Sequence, residues 1–454
     1  MLAARENRAG RQKRLLTEYG RPLLSFTMNI PGPVKDSPLI RRAFFEGVRQ
    51  LEAANLPILW REEQLAATGC ELLCAVDARA EDVKRRCLAI EDGSALGRLF
   101  DMDVIDTDGR KLDRSVPRGC IVCGAPGRGC ASRRTHTAAE LRAAAERIIT
   151  EHFAAVDGEQ LAALAVQSLL DEVDTTPKPG LVDRRNNGSH SDMTRETFYL
   201  SAGALAPYWR KCFEMGRVTA DRPPEKAFRL LREEGRLAEQ AMFAVTGGVN
   251  THKGAIFSLG TVCGAIGRIW RAEAPCRDAS LIAGACAQLC AAGVEKDWAA
   301  LKASGQARTA GERLYLQYGL TGIRGELAQG LPGVLQTALP AFESALADGL
   351  SRNDAGVLAL LRLIARGTDT NMIARGGMET AESAAAEARA LLAEHGGRPP
   401  MASVSRLDER FIERALSPGG CADLLAVTLF IYDWGSAKFA SVRRSPSRPA
   451  ALEP

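Results

Sequence analysis

The period of the hydrophobic positions changes near residue 155. Before it, short apolar runs end in turn residues. "PLLSFTMNI" (22–30), "LPILW" (56–60), "CELLCAVD" (70–77) and "LFDMDVID" (99–106) predict strands. Between them, "SPLIRRAFFEGVRQLEAAN" places apolar residues at helical spacing, with Ser37 as N-cap and Pro38 at the first helical position. "AEDVKRRCLAIED" predicts a second helix, and the basic opening "MLAARENRAGRQKRLL" reads as an Arg-rich one. This half is α/β or α+β with a sheet at its centre.

Beyond Asp157-Gly158 the strand signal fades and Ala and Leu dominate. "EQLAALAVQSLLDEV", "PEKAFRLLREEGRLAEQAMFAV", "SLIAGACAQLCAAG", "AGVLALLRLIAR", "ETAESAAAEARALLAEH" and "ADLLAVTLFIYDW" all read as helices. Several are apolar nearly all round, as expected for helices inside a large all-α bundle. Asp157-Gly158 is expected to interrupt two helices and to mark the boundary. The expected division is residues 1–155, 156–440, and a Pro/Ser-rich tail, 441–454, expected to be disordered.

Composition narrows the function classes. The chain has 454 residues, 46% hydrophobic and 25% charged, with a net charge of +4. That is a globular composition, and the small charge gives no case for a dedicated nucleic-acid binder. No run of 18 apolar residues is present, so no membrane span is expected. The opening residues lack the apolar core of a secretory signal, so a cytoplasmic protein with reduced thiols is expected. Clustered members of the 12 cysteines then become metal or packing candidates.

In the helical half, glycine and charged residues concentrate in five islands. "DEVDTTPKPGLVDRRNNGSHSDM" (171–193) holds Lys178 between two prolines, then Asp183, His190 and Asp192. "TGGVNTHKGAIFSLG" (246–260) holds His252, Lys253 and Gly254. "YGLTGIRGELAQGLP" (318–332) holds Arg324 and Glu326. "RGTDTNMIARGG" (366–377) holds Asp369, Asn371 and Arg375. "LSPGGCADLLA" (416–426) holds Gly419, Gly420 and Asp423. Each sets glycine beside charge at an expected helix end, where free N–H groups with Lys or Arg suit phosphates. A capping turn is the plain alternative for any one of them. None has Walker A spacing. His152 and His395 read as structural.

The first half carries two further groups. Asp101 and Asp103 are one residue apart on an expected strand, so both carboxylates share a face and invite Mg²⁺. Cys120, Cys123, Cys130 and His136 offer three thiolates and an imidazole, a donor set for tetrahedral zinc. Packing cysteines, or an Arg-rich phosphate loop (Arg118, Arg128, Arg133, Arg134), are the alternatives.

Taken together, the five islands resemble triphosphoribosyl-dephospho-CoA synthase over roughly 160–435. The resemblance implies that ATP and 3′-dephospho-CoA are joined with release of adenine. A ribose hydroxyl attacks the anomeric carbon of the ATP ribose through an oxocarbenium-like transition state. That needs a stabilising carboxylate and a base, for which Asp183, Asp192, Glu326, Asp369 and Asp423 are candidates. Lys178, His190, His252, Lys253, Gly254, Arg324, Asn371, Arg375, Gly419 and Gly420 are candidates for holding substrate and phosphate. "GTDTN" also looks locally like the metal motif of ADP-ribosylglycohydrolases, with only Asp369 of its two acids present.

"SFTMNIPGPVKDSPLIRRAFFEG", "GRLFDMDVID" and "RGCIVCGAPGRGCASRRTH" resemble the citrate lyase holo-acyl-carrier-protein synthase, the apo-citrate lyase phosphoribosyl-dephospho-CoA transferase, over about 12–150. The resemblance implies a nucleotidyltransferase-like fold and a partner, the citrate lyase acyl carrier protein. A serine of that carrier would receive the phosphoribosyl-dephospho-CoA group with loss of diphosphate. Asp101 and Asp103 would hold Mg²⁺, and Lys35 and Arg98 would bind phosphate oxygens. This half looks short at its start, so its first helix is expected to be incomplete or displaced. One half's product is thus the other's substrate. The alternatives are the same chemistry serving malonate decarboxylase, or a nucleotide-sensing regulatory protein.

Overall fold

Ser37 accepts a hydrogen bond from Ile40 N, and Pro38 opens the helix behind it. The computed structural model describes residues 2–125, 130 and 133–436. The tail 441–454 and Arg128 lie outside the described residues. The chain divides into a unit of residues 2–156 with the short segment 272–274, and a unit of 157–271 and 275–436.

In the first unit, α1 (Leu2–Tyr19) precedes β1 (Leu23–Met28), α2 (Pro38–Ala53), β2 (Ile58–Ala66), β3 (Gly69–Val76), α3 (Ala80–Asp92) and β4 (Phe100–Ile105). The strands form one antiparallel sheet in the order β2-β3-β1-β4, so the fold is α+β. Leu24, Phe26, Leu72, Cys74, Phe100, Met102 and Val104 are buried and share one face by register. Phe26 stacks on Phe44 of α2 at 5.0 Å. On the other face, Leu15 of α1 packs with Leu23, Leu73, Ala75 and Ile105. The first helix is thus packed against the sheet. Arg8 pairs with Glu71 at 2.7 Å, and Gln12 donates to Ser25 at 3.1 Å.

The second unit is all helical. One helix, α4 (Ala138–Asp174), runs unbroken through Asp157-Gly158. The expected interruption fails because tertiary partners override the turn signal: Asp157 accepts from Trp270 Nε1 at 2.7 Å. Gly158 leaves room for the Phe213 ring, 3.0 Å from where a Cβ would lie. There follow α5 (Arg195–Ala204), α6 (Ala206–Val218), α7 (Pro224–Thr246), α8 (Lys253–Ile269), α9 (Ala279–Ser304), α10 (Ala310–Tyr318), α11 (Gly322–Ala328), α12 (Leu339–Ala347), α13 (Arg352–Ile364), α14 (Thr370–Glu394), α15 (Met401–Glu413) and α16 (Gly419–Ser436).

Helices α8 and α16 are buried along most of their length. α6 meets α8 backbone to backbone: a Cβ on Gly216 would lie 2.0 Å from Gly264 O, and one on Gly267 the same distance from Phe213 O. Among the described residues, no helix is long and apolar enough to cross a membrane.

Candidate active sites

Several helices begin at one cavity. The starts of α8, α10, α14 and α16, with the 171–193 loop, line a space of about 460 Å³. Four of the five islands thus converge. Its wall carries Glu172, Lys178, His190, His252, Lys253, Gly254, Asn371, Arg375, Gly419, Gly420 and Asp423. The third island contributes only Ile323.

Lys178 is not free. Its Nζ lies 2.5 Å from Glu172 Oε1, with only 2% and 6% of the two side chains exposed. Burial raises the Glu172 carboxyl while the Lys178 ammonium opposes the shift. Glu172 was not singled out from the sequence, although a signal was present. It sits on the buried stripe of α4 after Leu161, Ala165, Ser168 and Leu169, a carboxylate where an apolar residue belongs. Asp423 faces the same cavity. Burial, then Glu172 and Asp369, hold its carboxyl well above the usual carboxylate range. A Cβ on Gly254 would lie 1.8 Å from Asp423 Oδ2, so only glycine lets this carboxyl approach the start of α8.

The histidines differ. His252 is buried, and its Nδ1 is 2.6 Å from Ser201 Oγ. Thr251 Oγ1 donates to the same oxygen at 2.8 Å; when Ser201 donates to Nδ1, Nε2 of the neutral ring carries the proton. That Nε2 is enclosed with no protein partner. Burial, then the Lys178 charge, push the imidazole down to about 3, so His252 is a neutral imidazole. His190 Nε2 is 2.8 Å from Ser417 Oγ and its Nδ1 is 3.3 Å from Arg375. Burial first, then Arg375, lower its pKa.

The remaining predicted acids are placed elsewhere. Asp183 accepts from Thr176 Oγ1 and Lys178 N at 2.6 and 3.1 Å, and from Arg185 N and Asn186 N at 2.6 and 3.0 Å. It organises the loop. Asp408, overlooked in the sequence, braces the same loop through Gly180 N and Asn186 Nδ2, both at 2.9 Å. Asp192 is largely exposed, 3.7 Å from His190.

Asp369 bridges two helix starts. Its Oδ1 accepts from Asn371 N and Met372 N at 2.8 and 2.9 Å, and its Oδ2 from Cys421 N at 2.8 Å. Glu326 pairs with Arg366 at 2.7 Å. Glu326 and Asp369 line a neighbouring cavity of about 220 Å³. Arg324 packs over the Trp298 ring at 5.4 Å. Lys253 pairs with Glu239 at 3.0 Å.

In the first unit, Asp101 stands opposite Thr27, and Asp103 opposite Ser25. Both point away from the buried Phe100, Met102 and Val104. Lys111 Nζ is 2.5 Å from Asp103 Oδ2. Burial, then Asp103, raise the Asp101 carboxyl; the two crowded carboxylates are oxygen donors that fit a divalent cation. Arg118 donates to Phe100 O at 2.5 Å and meets Glu91 Oε1 at 2.5 Å. Arg98 donates to Gly119 O, with its Nε enclosed and without a hydrogen-bond partner, and Lys35 donates to Ile30 O. Cys120, Cys123, Cys130 and His136 bring their donor atoms within 4.8 Å of one another, and every cysteine is a free thiol.

Residues 158–439 match the family model of ATP:dephospho-CoA triphosphoribosyl transferase. Residues 1–152 match that of apo-citrate lyase phosphoribosyl-dephospho-CoA transferase. Protein CitXG of Haemophilus influenzae is 36% identical over 450 residues, spanning 95% of this chain and 94% of that protein. A probable 2-(5''-triphosphoribosyl)-3'-dephosphocoenzyme-A synthase of Vibrio cholerae is 45% identical over 272 residues, 60% of this chain and 86% of its own. Another, from Albidiferax ferrireducens, is 43% identical over 276 residues, 60% of this chain and 90% of its own. With these matches end to end on one chain, the protein is a transferase of the ATP:dephospho-CoA triphosphoribosyl transferase family, carrying an apo-citrate lyase phosphoribosyl-dephospho-CoA transferase section before it.

Proposed function

We propose that the chain matures the citrate lyase prosthetic group in two steps. In the second unit, ATP and 3′-dephospho-CoA react to give 2′-(5″-triphosphoribosyl)-3′-dephospho-CoA and adenine. The observation that carries this is the cavity itself: converging helix starts, two carboxyls and a neutral imidazole around one space.

A ribose hydroxyl of dephospho-CoA bonds to the anomeric carbon of the ATP ribose. The carbon–nitrogen bond to adenine breaks, and its electron pair leaves on the base. One proton must reach adenine and one must leave the hydroxyl. Asp423 and Glu172 are the two carboxyls that face the cavity, and two carboxyls flanking an anomeric carbon also serve glycoside hydrolysis. Asp423, whose carboxyl burial and Glu172 push well above the usual range, is the donor. Glu172, whose charged form Lys178 favours against burial, stabilises the cation and accepts the hydroxyl proton. The N-termini of α8, α14 and α16 face the triphosphate of a Mg²⁺-bound ATP, with Arg375 and Lys253 beside it. His252 Nε2 donates to a substrate acceptor atom.

In the first unit, with a nucleotidyltransferase-like role, a serine oxygen of the acyl carrier protein attacks the α-phosphorus and diphosphate departs. Asp101 and Asp103 would hold Mg²⁺, which supplies positive charge to the leaving diphosphate. Lys111 and Arg118 flank that face. The match over residues 1–152 favours citrate lyase over malonate decarboxylase. Housing both steps in one chain raises the local concentration of the intermediate.

The test is adenine release by purified protein in Mg²⁺. Adenine that appears only with both ATP and 3′-dephospho-CoA supports the synthase reading. Binding of ATP without turnover would replace it with a nucleotide sensor.

A further inference from the structure

Neither proposed reaction uses the cysteines and the histidine of the segment after β4. It carries four donors at hydrogen-bonding or ligand distance. Cys123 and Cys130 Sγ are 3.5 Å apart, too far for a disulfide at about 2.05 Å. It is close to the ligand–ligand edge of about 3.8 Å that a tetrahedron with zinc–sulfur bonds of about 2.3 Å requires. Cys120 and His136 complete a set in which all four ligand atoms lie within 4.8 Å.

The backbone supports the same reading. Residues 120–125 form a tight knuckle: Gly124 N donates to Cys120 O, and Cys120 N to Ala125 O, both at 2.9 Å. Val122 N points at Cys120 Sγ from 3.4 Å, the amide-to-sulfur contact that stabilises a metal thiolate from outside the ligand shell. Gly124, at φ +71°, takes the left-handed turn that closes the knuckle. His136 Nε2 is enclosed and has no hydrogen-bond partner.

We infer that Cys120, Cys123, Cys130 and His136 hold one structural zinc ion, and that this site fixes Arg118 beside the Asp101–Asp103 strand. Four protein ligands leave no open position, so the metal is structural rather than catalytic. Arg118 lies two residues before the first ligand. It donates to Phe100 O and pairs with Glu91, which itself accepts from Met102 N at 2.7 Å. Arg98 fastens Gly119, the residue between Arg118 and Cys120, from the other side. The knuckle is thereby tied to the strand that presents the two carboxylates.

The metal assignment stands apart from either activity; the positioning role rests on the transferase reading. Purified full-length protein, dialysed against metal-free buffer, is assayed for zinc by mass spectrometry. About one zinc per chain is expected, retained in Cys276→Ser and lost in Cys123→Ser and Cys130→Ser. Cobalt substitution should give the visible bands of a tetrahedral thiolate site. Absence of zinc from the wild type, its persistence in both cluster variants, or a Cys123–Cys130 disulfide would overturn the site. Adenine release reports whether the second unit of each variant is intact, and circular dichroism whether the first unit has folded. Carrier modification should fall in the cluster variants and in zinc-stripped protein, and return with zinc or cadmium but not with extra Mg²⁺. Carrier modification that survives zinc loss would overturn the positioning role.

Discussion

Replacing Lys178 with methionine tests the buried pair at the heart of the helical unit. The substitution removes an ammonium 2.5 Å from Glu172, where both side chains are almost wholly enclosed. Breaking a buried pair from one side costs about 3–5 kcal/mol, because a carboxylate is left without compensation. For a unit of this size each kcal/mol moves the melting temperature by about 2–4 °C, so Lys178→Met should melt roughly 6–20 °C lower. Lys178→Met with Glu172→Gln removes both charges and should recover most of that loss, while adenine release stays absent in both proteins.

The pH dependence has a definite sign. Burial raises the folded Glu172 carboxyl, and without Lys178 nothing opposes that shift. A raised folded pKa disfavours the folded state increasingly as pH climbs from the unfolded carboxyl value, about 4.3, through the folded one. The deficit of Lys178→Met against the wild type should therefore shrink as pH is lowered from about 8 towards 5. Melting followed by circular dichroism reads all three effects. A single variant that melts like the wild type, or a double variant as unstable as the single, refutes the argument.

Asp423→Asn should lower adenine release by about 10²–10⁴-fold with an unchanged melting temperature, since a neutral amide replaces a carboxyl already held neutral; near-normal turnover would remove Asp423 as the donor. Asp101→Asn should abolish carrier modification and leave adenine release intact, with both products followed by mass spectrometry. Asp369→Ala strips acceptors from two helix starts; at about 1–2 kcal/mol per cap, chemical denaturation should show a loss of roughly 2–4 kcal/mol. Because burial holds His252 down to about 3, the rate of adenine release should show no inflection from it between about pH 5 and 8. His252→Gln, which keeps a donor, should retain more activity than His252→Ala.

Elements whose local signal agreed with their burial were legible. The helix at Ala80–Asp92 and the strand at Phe100–Ile105 fall where periodicity puts them. The alternation that set Asp101 and Asp103 on one face is what the sheet shows. β2 was only half visible, because it is an edge strand whose residues alternate between partly buried and exposed. Its "REEQLA" has no apolar face to announce it. Asp157-Gly158 misled because a buried Asp–Trp hydrogen bond is invisible to local propensity.

In the site, the islands were recognisable as islands, but the division of labour among their acids was not. Asp183, Asp369 and Asp423 are each an aspartate in a Gly- or Asn-rich loop or at a helix end. Only tertiary packing spends the oxygens of the first two on backbone amides and turns the third towards the cavity.

That division explains how a pocket with few uncommitted cations can face a triphosphate. Lys178 is balanced by Glu172 and Lys253 by Glu239. What remains is Arg375 and the positive ends of α8, α14 and α16, whose dipoles sum where their starts meet. The glycines make that meeting possible. A Cβ on Gly254 would strike Asp423, one on Gly419 would come within 2.7 Å of Asn371 Nδ2, and one on Gly420 within 3.0 Å of Asp369 Oδ2. They admit polar side chains to the helix starts rather than cradling phosphate themselves. A charged Asp423 among those starts would repel the incoming polyanion. The same burial that raises its carboxyl towards the protonated form therefore also weakens that repulsion, so one perturbed carboxyl serves both binding and bond cleavage.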